Sequence, residues 1–88
     1  MKRKDGFVLQ SIADEYLLVP VGEEMNRMKG IVQLSESGAF LWRKMETNQT
    51  LETLTDALTA EYKVDRETAL KDVKAFLDSI GQMGCLEE

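Results

Sequence analysis

Acid–base and nucleophilic catalysis draw on histidine, cysteine and paired carboxylates, and this chain supplies them sparingly. It has no histidine and one cysteine. That removes the commonest general base, the usual activator of a nucleophilic thiol, and the commonest metal ligand. Cys85 stands beside Leu86 and reads as a small apolar residue in a packed contact. Carboxylates number sixteen among 88 residues, but they are scattered. Glu23-Glu24 and Glu87-Glu88 are adjacent in sequence, so on a strand or a helix they point apart rather than share a proton. Gly-rich phosphate loops, CxxC pairs and calcium-type acidic loops are missing. These residues predict a protein that is not an enzyme, with no cofactor and no metal.

Polyanion binding is the next chemistry to weigh. Eleven Lys and Arg against sixteen Asp and Glu leave a net charge of −5 and a pI near 4.7, the wrong sign for a phosphate binder. The last predicted helix carries Arg66, Lys71 and Lys74 against Glu67, Asp72 and Asp78, so its charge cancels. Lys2-Arg3-Lys4 adds three cations on a segment expected to fray. What remains is chemistry of the backbone: an edge strand, whose unpaired N–H and C=O groups can take up another extended chain.

The elements that would position such an edge are legible. At 43% hydrophobic and 31% charged, with no low-complexity tract, the composition is that of one folded domain over residues 1–88. The apolar run that a signal peptide needs is broken by Gln10, Ser11, Asp14 and Glu15, and no run approaches a membrane span, so a soluble cytoplasmic domain is expected. Phe7 to Ile12 and Glu15 to Val21 are β-prone runs about a turn at Ala13-Asp14. In the first run Phe7, Leu9 and Ser11 share one face, and Val8, Gln10 and Ile12 the other. Pro20 belongs near a strand end. Gly22-Glu23-Glu24 reads as a turn, and Met25 to Lys29 as either a short strand or a loop.

Ile31–Leu34 is then a strand, opened by Gly30 and closed by Ser35, which can cap a helix from about Glu36 to Met45. Trp42 within that helix reads as core. Thr50 caps a second helix with its stripe at Leu51, Leu54, Leu58 and Tyr62. Asp65 caps a third, with Val64 as a staple and an apolar face of Leu70, Val73, Phe76, Leu77 and Ile80; Gly81 or Gly84 ends it. Glu67–Lys71 and Lys74–Asp78 are spaced as i,i+4 ion pairs. Short strands followed by three helices predict an α+β domain of winged helix-turn-helix type: an N-terminal antiparallel sheet of about three strands, then the helices.

The ordered residues also resemble a known family. Leu34-Ser35-Glu36-Ser37-Gly38-Ala39-Phe40-Leu41-Trp42 resembles the "L-N-x-x-G-A-x-x-W" signature of PqqD-like proteins, with Ser35 where Asn is usual. The likeness continues through Thr50-Leu51-Glu52-Thr53-Leu54, Ala60-Glu61-Tyr62-Lys63-Val64-Asp65, Asp72-Val73-Lys74-Ala75-Phe76-Leu77 and Gly84-Cys85-Leu86. The resemblance implies a RiPP recognition element, which binds the leader of a ribosomally made precursor peptide and presents it to a modifying enzyme, often of the radical-SAM kind. It implies that the leader joins the third strand and lies against the third helix. The expected peptide-binding residues are then Ile31, Val32, Gln33 and Leu34 on the strand, with Leu70, Lys71, Lys74, Leu77 and Asp78 on the helix.

Main-chain bonds would roughly cancel the cost of ordering the peptide, so two or three apolar anchors must tip the balance. Lys71 and Lys74 are expected to meet acidic leader residues. The alternative reading is a winged-helix DNA-binding regulator, and a third is a homodimer formed through the same strand edge.

Overall fold

The computed structural model describes residues 1–27 and 31–87. Strand β1 (Lys2–Arg3) leads into the hairpin β2 (Phe7–Ile12) and β3 (Glu15–Pro20). A one-turn helix α1 (Glu24–Arg27), strand β4 (Val32–Leu34), helices α2 (Glu36–Lys44), α3 (Leu51–Glu61) and α4 (Arg66–Gln82), and strand β5 (Leu86–Glu87) follow. The antiparallel sheet has the order β2-β3-β4, and β1 pairs with β5 in a separate ribbon. A mixed α+β domain with an N-terminal three-stranded sheet and three principal helices is thus what the chain forms.

Register follows from the hydrophobic pattern. Leu9 faces Leu18, and Leu18 faces Val32 across the sheet. Leu18 is fully buried, with Phe7, Leu9, Val32 and Leu34 packed around the core from the same face. The helices supply the remainder: Leu41, Trp42 and Met45 from α2, Leu54 and Leu58 from α3, and Ala69, Val73 and Ile80 from α4. The two-residue hairpin loop places Ala13 at φ 55, the sign that a tight hairpin requires at its first central position.

Each principal helix begins on the expected cap. Ser35 Oγ accepts from Gly38 N at 3.1 Å. Thr50 and Thr53 form a reciprocal box, each backbone N–H donating to the other's hydroxyl, at 2.8 and 3.1 Å. Asp65 accepts from Thr68 N at 2.7 Å, and hydrogen bonds from Thr68, side chain first and then backbone, hold its carboxyl below the ordinary range. At the far end of α4 the Gly84 N–H donates to Gly81 O and the Cys85 N–H to Ile80 O. Gly84 adopts φ 74. These paired bonds close a Schellman motif, so Gly84, not Gly81, terminates the helix.

Three expectations are corrected. Lys2-Arg3 does not fray: β1 pairs with β5, Arg3 N donates to Met45 O at 3.1 Å and Lys4 N to Cys85 O at 2.8 Å. The Arg3 guanidinium lies 5.4 Å from the Trp42 ring centroid. Residues 24–27 form a helical turn rather than a strand, because Met25 N and Asn26 N bond back to Gly22 O and Glu23 O. Glu24 is drawn inward there to pair with Lys4 at 3.0 Å and with Arg27 at 3.5 Å. The rest of the strand-or-loop question, at Met28 and Lys29, and the opening Gly30 lie outside the described residues. Finally, among the described residues neither Glu67–Lys71 nor Lys74–Asp78 closes to an ion pair; on α4 only Arg66 is paired, to Asp56 of α3. Exposed pairs gain too little to overcome side-chain entropy.

Cys85 is completely buried, and its carbonyl accepts from Lys4 N. Burial first, and then Glu24, pushes its thiol from 9.0 up to about 11, with Lys4 opposing. Native protein should therefore resist iodoacetamide near neutral pH and react once unfolded in urea, a contrast that mass spectrometry reads directly. The linkage has a definite sign. The raised thiol stabilises the fold fully below 9.0, and that contribution is lost as pH rises through about 11, since the unfolded chain gives up its proton first.

Candidate functional site

Strand β4 is flanked by β3 on one side and is the last strand in its sheet. Which backbone groups it leaves free follows from one bond. Val21 N donates to Gly6 O at 2.8 Å, so the 6/21 pair is hydrogen-bonded. Alternation along the β2–β3 ladder then makes 8/19 and 10/17 hydrogen-bonded too. In β3 the odd residues therefore bond to β2, and the even ones, Tyr16 and Leu18, bond toward β4. Their partners are Leu34 and Val32. The N–H and C=O of Gln33, between them, face away from the sheet.

Beside this free edge runs α4. A groove of about 290 Å³ separates the two, with Gln33, Leu34 and Ser35 on the strand side. Asp72, Ala75, Phe76 and Ser79 form the helix wall; their i, i+3, i+4, i+7 spacing places them on one face. Gly38 closes the floor. A Cβ there would lie 3.2 Å from Ser35 Oγ, 3.5 Å from Phe76 Cδ1 and 3.6 Å from Leu34 Cβ. The absent side chain keeps α2 close beneath the groove and leaves the space between Leu34 and Phe76 open. Ser35 thus has two duties, capping α2 and lining the groove end.

The groove is apolar along its middle and carries one charge, Asp72. No group of three or more His, Cys, Asp or Glu that could hold a metal ion occurs among the described residues. Backbone donors and acceptors beside an apolar trough suit an extended peptide: main-chain bonds align it, and side-chain contacts choose it.

The residues expected from sequence divide. Gln33 and Leu34 line the groove. Val32 pairs with Leu18 and turns its half-buried side chain to the core, while Ile31 precedes the strand and is 59% exposed. Leu70, Lys71, Lys74, Leu77 and Asp78 are not among the lining residues. At 100° per residue, Lys71 and Asp78 flank the groove face on the Ala75 side. Leu70, Lys74 and Leu77 project from the opposite side of the helix, with the core face of Ala69, Val73 and Ile80 between; Leu77 packs against that core. Sequence reasoning missed Ser35, Gly38, Asp72, Ala75, Phe76 and Ser79 as lining residues. A signal was present in Ala75 and Ser79, small residues four apart next to the core stripe, which leave room beside a strand.

The family model described as coenzyme PQQ synthesis protein D (PqqD) matches residues 8–86. The chain is also similar to TbiB1, solved in complex with the TbiA(beta) leader peptide: 31% sequence identity over 99% of this chain and 95% of that chain, with a TM-score of 0.76. No curated protein matches it.

Proposed function

Since this chain belongs to the PqqD family, we propose that it is a RiPP recognition element that binds the leader of a ribosomally synthesised precursor peptide and presents it to a modifying enzyme. The leader adds as a strand on the free edge of β4 and lies in the groove against α4. One observation carries the reading: the outward N–H and C=O of Gln33 stand beside a groove walled by Ala75 and Phe76. Lys71 and Asp78, at the groove's border, contact the leader's solvent side, and Ile31 extends the edge by one more outward-facing residue.

The chain itself contributes binding and no catalysis, as the lack of histidine and the suppressed Cys85 thiol support. The enzyme it serves is of the radical-SAM kind, and the setting is the cytoplasm, where precursor peptides are made; no helix among the described residues is long and apolar enough to cross a membrane. Without leader, the same edge pairs two copies of the chain, so leader and dimer compete.

The test is an NMR titration of isotope-labelled chain with the leader encoded by a precursor gene beside its own. Shifts should concentrate at Gln33, Leu34, Gly38, Ala75 and Phe76. Binding that moves only α3 or the outer face of the sheet would refute the placement, and no binding would refute the function. Light scattering on the same samples should show any dimer dissociating as leader is added.

A further inference from the structure

We propose that Asp72 makes the groove select a leader segment in which a lysine or arginine stands two residues from a bulky apolar side chain. This rests on the groove being the leader site, and it reverses the charge expected from Lys71 and Lys74. The lining contains one charged group, Asp72, and neither lysine. Among the described residues the ion pairs are Lys4 and Arg27 with Glu24, and Arg66 with Asp56, so Asp72 has no cation of its own. Its neighbours three and four positions away, Thr68, Ala69, Ala75 and Phe76, are all uncharged. The chain's net charge of −5 adds a field that favours cationic segments.

The spacing follows from two periods. From Asp72 to Phe76 is one helical turn, about 6 Å at a rise of about 1.5 Å per residue. Alternate side chains of an extended peptide point the same way and lie about 6.8 Å apart. Where the peptide strand on β4 runs along α4, one inward side chain falls over Phe76 and the next against Asp72. The first position is roomy and apolar: Ala75 is small, Leu34 and Phe76 form the walls, and Gly38 forms the floor without a side chain to fill it. A long aliphatic stem ending in a cation suits the second, since it crosses apolar surface and keeps its charge at the solvent-facing carboxylate.

The test pans a displayed library of random peptides against the intact chain and its Asp72→Asn and Asp72→Lys variants. Synthetic peptides carrying Phe-Thr-Lys, Phe-Thr-Gln or Phe-Thr-Glu are then compared by fluorescence anisotropy. Wild type should favour lysine over glutamate by about three- to tenfold, the range open to a partly exposed pair whose sign is reversed. The preference should vanish in Asp72→Asn, invert in Asp72→Lys, and shrink with added salt. Peptides that bind along β4 with equal affinity for lysine and glutamate, or a preference unchanged in Asp72→Lys, would overturn the proposal while leaving the leader site intact. If neither library members nor the gene-neighbour leader bind, the leader-site reading falls and takes this one with it.

Discussion

Replacing Gln33 with proline should sharply weaken leader binding while the domain stays folded. The outward direction of the Gln33 N–H, set by the pairing of Val32 and Leu34 with β3, makes this position the main-chain centre of the open edge. Proline removes that donor and puts its ring where the incoming strand must lie, and proline is tolerated at edge positions whose N–H faces solvent. The leader carbonyl left without a partner costs about 1–3 kcal/mol on top of the lost bond, at about 0.5–1.5 kcal/mol. Affinity should fall at least about tenfold. Gln33→Thr keeps the donor and a β-former, and should bind within a few-fold of wild type. Val32→Pro is the contrasting change: its N–H serves β3, so circular dichroism should report loss of the sheet rather than loss of binding alone. Tight binding by a folded Gln33→Pro variant would mean that the leader does not add to this edge.

The largest effect on stability should come from Trp42→Ala. The indole is 1% exposed, meets Phe7 edge-on at 6.2 Å between centroids, and carries the Arg3 guanidinium over its ring. Truncating a buried aromatic of this kind costs about 3–5 kcal/mol, against a total of about 4–13 kcal/mol for a chain of this length. The variant should melt tens of degrees lower, and urea denaturation followed by far-UV circular dichroism would measure the loss. Trp42→Phe, which refills most of the cavity, should lose much less. Because Trp42 joins α2 to the N-terminal segment, leader affinity should fall only in proportion to the fraction unfolded. A folded Trp42→Ala domain with selectively impaired binding would mean that the ring has a direct role at the site.

How much of this could be read in advance depended on whether the cause was local. The caps at Ser35, Thr50 and Asp65 and the hairpin about Ala13-Asp14 are short-range devices, each set by a side chain and the few N–H groups next to it, and the residue types alone announce them. The helical stripes through Leu54 and Leu58, and through Val73 and Ile80, are likewise periodic in the chain itself. The ordered signature around Gly38-Ala39 and Trp42 pointed to the family.

Long-range pairing was a different matter. Nothing near Lys2-Arg3 in sequence says that it will meet Leu86-Glu87, because that ribbon exists only once α4 has brought the two ends together. The groove follows the same rule. Sequence located α4 and its apolar face, but a helix with one core stripe has two flanks, and local periodicity is indifferent to which of them β4 lies along. Packing chose the flank of Asp72, Ala75 and Ser79 over that of Leu70, Lys74 and Leu77. The sequence by itself determined that a short strand, a cap and three helices would form. Only the tertiary structure decided which helix face borders the edge and which strand residue turns its backbone outward, since both depend on contacts between segments far apart in the chain.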